Sequence, residues 1–289
     1  MIKKLSYFLY RIIKIGDKIF KLLTKRSILI WFRDFIEKDS YKNILILGQE
    51  IKFFVPNQLT EWRVCSFFNK EPETLEWIDS FSKKNSFIFW DVGANIGLYS
   101  IYNSLKNTNS KTICFEPSTS NLRVLSRNIS INNLENSIKI FSIPLTNKEN
   151  KFLTMNEGDF VEGGALNSFG ENFNFEGQKF TSKNKYQLFG TTINYLLKNN
   201  LLEVPNYIKI DVDGIEHLIL EGAGEYLRNK KIKSLSIEIN ENFTDQYQKV
   251  IAIMKKYEFK ILHKKHNEEI FGSHSKFSNT FNYVFNRDS

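Results

Sequence analysis

Apolar side chains recur every three or four residues at the start of the chain: Leu5, Phe8, Leu9, Ile12, Ile13, Ile19, Phe20, Leu22 and Leu23, with lysines between them. This spacing predicts a basic amphipathic helix, or two helices broken near Gly16. No apolar run approaches the ~20 residues of a membrane span. Arg11 interrupts the run too early for a signal peptide, and no small-residue cleavage site follows it. Residues 43–55 then read as a hairpin turning at Gly48-Gln49, and Pro72 suits the first turn of a helix. Beyond that point the pattern alternates. Strands are predicted at 86–90, 111–115, 138–143, 151–156, 207–213, 234–239, 259–263 and 281–285. Helices are predicted after residue 96 and at 119–132, 192–199, 217–227 and 244–257. This α/β alternation, with no internal repeat, predicts a mostly parallel sheet covered on both faces.

Composition refines that reading. At 289 residues and 42% hydrophobic, the chain has room for one large α/β domain, taken as residues 43–289, behind a helical extension at 1–42. Two distant cysteines, Cys65 and Cys114, suggest neither a disulfide framework nor a zinc site, so a reducing, cytoplasmic compartment is expected. The net charge of +8 is uneven: residues 1–42 hold eleven Lys and Arg against four Asp and Glu, which leaves +1 for the rest. The body therefore lacks the basic groove of a general nucleic-acid binder. The extension reads either as an anchor at the inner face of a membrane or as a helix packed on its own domain or a partner subunit.

The candidate chemistry begins at Trp90-Asp91-Val92-Gly93-Ala94-Asn95-Ile96-Gly97-Leu98-Tyr99-Ser100. A strand, a turn with two glycines and a helix form the opening of a nucleotide-binding α/β unit, where backbone can approach a ligand closely. Asn95 as a plain helix N-cap is the blander reading. Glu116 follows the next strand, and a carboxylate there can accept from both hydroxyls of a ribose. The dinucleotide fingerprint G-x-G-x-x-G is not met, because its third glycine is missing, and this disfavours an NAD-dependent oxidoreductase. The turn instead resembles motif I of class I S-adenosylmethionine (SAM) methyltransferases, in which an acid before the first glycine lies near the methionine end.

A second constellation is Lys209-Ile210-Asp211-Val212-Asp213-Gly214-Ile215-Glu216-His217. Three carboxylates at one strand-to-helix junction suit methyl transfer to a hydroxyl, which needs the oxygen positioned and its proton removed. Like-charge crowding would raise the pKa of Asp211 and make it a general base. Asp213 and His217 are further catalytic candidates. Asp211 with Glu238 could alternatively hold a divalent cation that acidifies the hydroxyl. Plainer roles are Asp213 as N-cap in a capping box with Glu216, and Lys209 paired with Glu238.

Together with Glu71-Pro72-Glu73-Thr74-Leu75, Trp77-Ile78, Phe115-Glu116-Pro117, Asn121-Leu122, Asn128-Ile129, Thr191-Thr192-Ile193-Asn194 and Glu238-Ile239, these stretches resemble the FkbM family of SAM-dependent methyltransferases. The resemblance runs from about residue 44 to 285. It implies a Rossmann-like class I fold with a central seven-stranded sheet. It also implies SAM contacts at Asp91, Gly93, Asn95, Gly97 and Glu116, and O-methylation of a sugar, glycan or small-molecule hydroxyl. Asn194 departs from the pattern, since the family often has Asp there. Residues 157–190 interleave glycines with Phe160, Phe169, Phe173, Phe175, Phe180 and Phe189, and an acceptor-covering loop is expected. Two rival functions are a nucleic-acid base methyltransferase and a non-catalytic SAM-binding protein of glycan assembly. The first is disfavoured because Asp211-Val212-Asp213-Gly214 stands where an Asn/Asp-Pro-Pro-aromatic motif would orient an amine, so no nucleic-acid partner is expected.

Overall fold

A computed structural model describes residues 1–82, 84–179, 181–272 and 274–287; Phe180 lies outside them. Helices α1 (Ile2–Thr24) and α2 (Leu29–Asp39) precede a hairpin of β1 (Tyr41–Ile46) and β2 (Gln49–Phe54). Short helices α3 (Gln58–Cys65), α4 (Phe67–Lys70) and α5 (Pro72–Asp79) lead into β3 (Phe87–Val92), α6 (Leu98–Lys106), β4 (Ser110–Phe115), α7 (Thr119–Ile131) and β5 (Ile138–Phe141). Next come β6 (Lys151–Glu157), β7 (Ser168–Phe169), β8 (Asn184–Gly190) and α8 (Ile193–Lys198). The chain continues through β9 (Tyr207–Ile210), α9 (Glu216–Ala223), a 3₁₀ turn at Gly224–Arg228, β10 (Ser234–Asn240), α10 (Thr244–Lys256), β11 (Lys260–Lys265), α11 (Glu268–Phe271) and β12 (Thr280–Asn286).

Seven strands form one sheet in the order β11-β12-β10-β9-β3-β4-β5. All neighbours are parallel from β10 to β5, and β12 inserts antiparallel between β10 and β11. This is the doubly wound class I SAM-methyltransferase fold. The alternation of side chains along β3 explains its central place. Trp90 and Val92 enter one buried apolar layer and Phe87 and Phe89 the other. A strand apolar on both faces is stable only with helices over each. The strand order reverses between β3 and β9, and such a switch point opens a crevice beyond the carboxyl ends of the strands.

Several local expectations change. Gly16 does not break α1, which runs unbroken. The hairpin turns at Leu47 and Gly48, both at positive φ, one residue earlier than the sequence suggests. The segment 157–190 is not all loop: β6, β7 and β8 form a separate three-stranded antiparallel sheet. Strand β9 ends at Ile210, so Asp211 to Asp213 lie in the turn beyond it.

Candidate active site

A cavity of about 630 Å³ opens at the carboxyl ends of the central strands. Its wall includes Val92, Gly93 and Asn95 after β3, Glu116 after β4, Asp211 to Asp213 after β9, and Glu238 on β10. Residues of the segment between β6 and β7, including Val161 and Gly164 to Asn167, roof it.

Glu116 is held by backbone. Its carboxylate accepts from the N–H of Asn95 at 2.7 Å and of Ser118 at 2.9 Å. Burial nevertheless pushes its pKa up to about 7. The roof is fastened by side chains that the sequence places far apart. Asn95 Nδ2 and Asn121 Nδ2 donate to the Gly164 carbonyl at 2.8 and 3.1 Å, and the Gly163 N–H donates to Asn121 Oδ1 at 2.9 Å. Asp213 accepts from the Leu166 N–H at 2.6 Å. Burial, then the neighbouring Asp211 charge, pushes the Asp213 carboxyl up to about 6.

Across the cavity, Glu71, Asp211 and Glu238 bring carboxylate oxygens within 4.8 Å of one another. Two ammonium groups already sit among them. Lys209 Nζ lies 2.6 Å from Asp211 Oδ2, and Lys70 pairs with Glu71. Tyr99 also donates to Glu71 at 2.8 Å. Glu71 is N-cap of α5 but makes no capping bond, because its side chain is turned to this cluster. Glu238 makes no ion pair or side-chain hydrogen bond among the described residues. Burial and the charges of Asp211 and Glu71 hold its carboxyl well above the usual range.

Four expectations are corrected here. Burial alone would raise the Asp211 pKa, but the Lys209 ammonium beside it, then Lys70, hold it low; crowding by like charge does not prevail. Lys209 pairs with Asp211 and not Glu238, because the register sets Lys209 opposite Ser236. Asp213 is no N-cap: it sits at φ 63, its carboxylate serves the roof, and Ile215 caps α9. Glu216 instead accepts from the N–H groups of Val212 and Gly214. His217 does not face the cavity. It is buried between the rings of Phe173 and Phe243, and burial lowers its pKa, so it stays neutral.

Asp91 and Gly97 also lie off the cavity wall. Asp91 shares the strand face of Phe87 and Phe89 and lies opposite Lys209 in register, where it is fully buried beneath α6 and accepts from Ser100 Oγ. Gly97 caps α6 in place of Asn95 and packs on Leu125. Conversely, the sequence reading missed Trp62, Arg63 and Lys70, which line the wall from α3 and α4. Arg63 Nε donates to the Gly163 carbonyl of the roof at 2.6 Å. The one sequence signal for this part of the wall was Glu71-Pro72, at the edge of α4.

No curated protein matches this chain. Solved structures similar to it include the precorrin-6y C5,15-methyltransferase of Geobacter metallireducens GS-15, at 11% identity and TM-score 0.42 over 75% of this chain and 87% of that one. TYW2 of P. horikoshii in complex with MeSAdo has 11% identity and TM-score 0.45, covering 86% of this chain and 70% of its own. TrmK of M. capricolum in complex with S-adenosyl-homocysteine has 12% identity and TM-score 0.42, covering 74% and 68%. At such identities the likeness is one of fold. The model of the methyltransferase FkbM domain matches residues 91–261, from the motif I turn to β11, which is more than half of the chain and takes in Glu116, Asp211 and Glu238. That match, on a sheet of this order, makes the chain a member of the FkbM family of SAM-dependent methyltransferases.

Proposed function

We propose that this enzyme is an O-methyltransferase acting on a hydroxyl of a sugar, glycan or small-molecule acceptor. The observation that carries the proposal is Glu238, a cavity-wall carboxylate with a raised pKa and no ion pair among the described residues, beside an Asp211 kept ionised by Lys209. Bound SAM supplies an electrophilic methyl group on its sulfonium. Asp211 accepts a hydrogen bond from the acceptor hydroxyl and orients its oxygen. Glu238 takes the hydroxyl proton as the oxygen gains the methyl, and a carboxylate of raised pKa is the better base for that task. Asp213 keeps the roof closed over the acceptor through Leu166. Methyl-labelled SAM offered to glycans, hydroxylated small molecules and RNA tests the reading. Label in an alkali-stable sugar ether supports it, and label on an RNA base overturns it.

For the cofactor, Glu116 takes the ribose hydroxyls and Gly93 and Asn95 lie along the ligand, while Asp91, bonded to Ser100, and Gly97, which caps α6, shape the turn. Glu116→Ala is expected to weaken SAM binding roughly ten- to hundredfold in calorimetry. The ionised carboxylate is the stronger acceptor, so binding expels a proton. Wild-type affinity should therefore rise with pH through about 7 and flatten above it, and Glu116→Gln should lose that dependence. Unchanged affinity in folded Glu116→Ala would take this residue out of the site.

A divalent cation is the second reading for the same carboxylates, favoured by the spacing of Glu71, Asp211 and Glu238. It would have to share the cluster with the ammonium groups of Lys70 and Lys209. Activity lost in EDTA and restored by magnesium or manganese supports the cation. Full activity in EDTA leaves proton removal to Glu238.

A further inference from the structure

The N-terminal helices leave their apolar sides uncovered. In α1, Leu5, Phe8 and Ile12 are 59%, 61% and 53% exposed. In α2, Trp31 and Ile36 are 62% and 64% exposed. Such a surface is far larger than the scattered apolar residues of an ordinary monomer. The single buried residue of α1 is a carboxylate, Asp17. It caps the start of α2, accepting from Ser27 Oγ at 2.9 Å and from the N–H groups of Ile28 at 2.7 Å and Leu29 at 3.1 Å. The stripe is thus not packed on its own domain, one of the two readings the sequence allowed.

We infer that this helical pair is a docking surface for an anionic lipid bilayer. Charge selects the partner. Ten of the eleven basic residues in 1–42 lie in α1, α2 or the segment between them, beside the apolar stripe. Of the four acids, Asp17 is spent on the α2 cap and Glu37 on Arg123 and Arg127, at 2.6 and 3.2 Å. A second copy of the chain would bring basic flank against basic flank, whereas an anionic surface complements them. No helix among the described residues is long and apolar enough to cross a membrane, so α1 would lie along the surface. Each basic side chain near such a surface raises partitioning about fivefold, within a screening length of about 8 Å at physiological salt.

The docking face is tied to the cavity roof. Glu37 of α2 pairs with Arg123, which also holds Glu162 of the roof segment at 2.8 Å. A bilayer under α1 and α2 would lie on the roof side of the enzyme. The inference does not rest on the acceptor's identity, since its readout is binding.

Co-sedimentation of the full chain with vesicles of phosphatidylcholine alone, and of phosphatidylcholine and phosphatidylglycerol in equal amounts, tests it. Strong binding to the anionic vesicles is expected, at least about tenfold weaker on neutral ones and similarly weakened by high salt. The double variant Phe8→Glu/Ile12→Glu should lose at least about tenfold in vesicle affinity, because both side chains are exposed and their apolar burial is what is removed. Its melting temperature and SAM affinity should stay those of wild type. Lys14→Glu/Lys18→Glu should abolish the preference for anionic lipid. A full chain that ignores anionic vesicles at low salt overturns the inference. So does salt-insensitive binding shared by both vesicle types, or a wild-type dimer that the Phe8→Glu/Ile12→Glu change converts to monomer in sedimentation velocity, since a second copy would then be the occupant.

Discussion

Glu238→Gln is expected to lower turnover at least about a hundredfold while SAM affinity stays within about twofold, because a general base contributes roughly 10²–10⁴ to rate. The substitution keeps the shape of the side chain and removes its proton affinity. Glu238 carries no ion pair among the described residues, so the change strands no buried cation and the fold should hold. Asp211→Asn is less clean. It also should cut turnover, but it leaves Lys209 charged at 2% exposure without its partner at 2.6 Å. Breaking one side of a buried pair costs about 3–5 kcal/mol, so a lower melting temperature should accompany the loss. The pH profile separates base from positioning residue. Glu238 has a raised pKa, so it is protonated and idle at low pH, and wild-type turnover should climb as pH rises through that value. Glu238→Gln should lose this limb. In Asp211→Asn the limb should persist at lower amplitude and move down in pH, since one of the negative charges that raise the Glu238 pKa is gone. Turnover near wild type in Glu238→Gln would sink the base assignment.

Gly93→Ala is expected to destabilise the protein by about 2–5 kcal/mol and to remove activity. Gly93 has φ +87, and a Cβ there would lie 1.9 Å from the Asp211 carbonyl oxygen. That oxygen belongs to backbone already pinned to β3, because the Asp211 N–H donates to the Val92 carbonyl at 3.0 Å. The left-handed conformation costs a non-glycine residue about 1–2 kcal/mol, and overpacking adds about 1–3. For a chain of this size the melting temperature should fall by roughly 2–4 °C per kcal/mol. Relief of the clash must push Asp211 away from Lys209 and the cavity, so turnover should fail even where the variant still folds. Gly16→Ala is the control. A Cβ there meets nothing within 4 Å, and α1 is continuous through it, so that change should be neutral or stabilising by up to ~1 kcal/mol. A Gly93→Ala protein melting like wild type would refute the close approach of the two strand ends.

What the sequence determined by itself was whatever depends on neighbours a few residues apart. The continuous apolar, β-prone run Phe87-Ile88-Phe89-Trp90 and the helical spacing after Gly97 placed β3 and α6 close to their observed bounds. Pro72 at the start of α5 and Thr192 capping α8 are likewise local signals. The turn after β3 and the acid after β4 sufficed to find the cavity floor, and Glu116 is on it. The sequence also announced a glycine at 93 without its reason: the backbone that comes close is Asp211, from the turn after β9. Tertiary structure alone decided which charges meet. The direction of the Asp211 pKa turned on the register that sets Lys209 across from Ser236, and on Lys70 arriving from α4. Asp91 and His217 have the right residue types in the right stretches, yet Asp91 is sealed against Ser100 of α6 and packing sends His217 between Phe173 and Phe243. Local periodicity follows from backbone geometry and is written along the chain. A carboxylate's ionisation depends on the burial and the ammonium groups around it, and those are assembled from segments that only folding brings together.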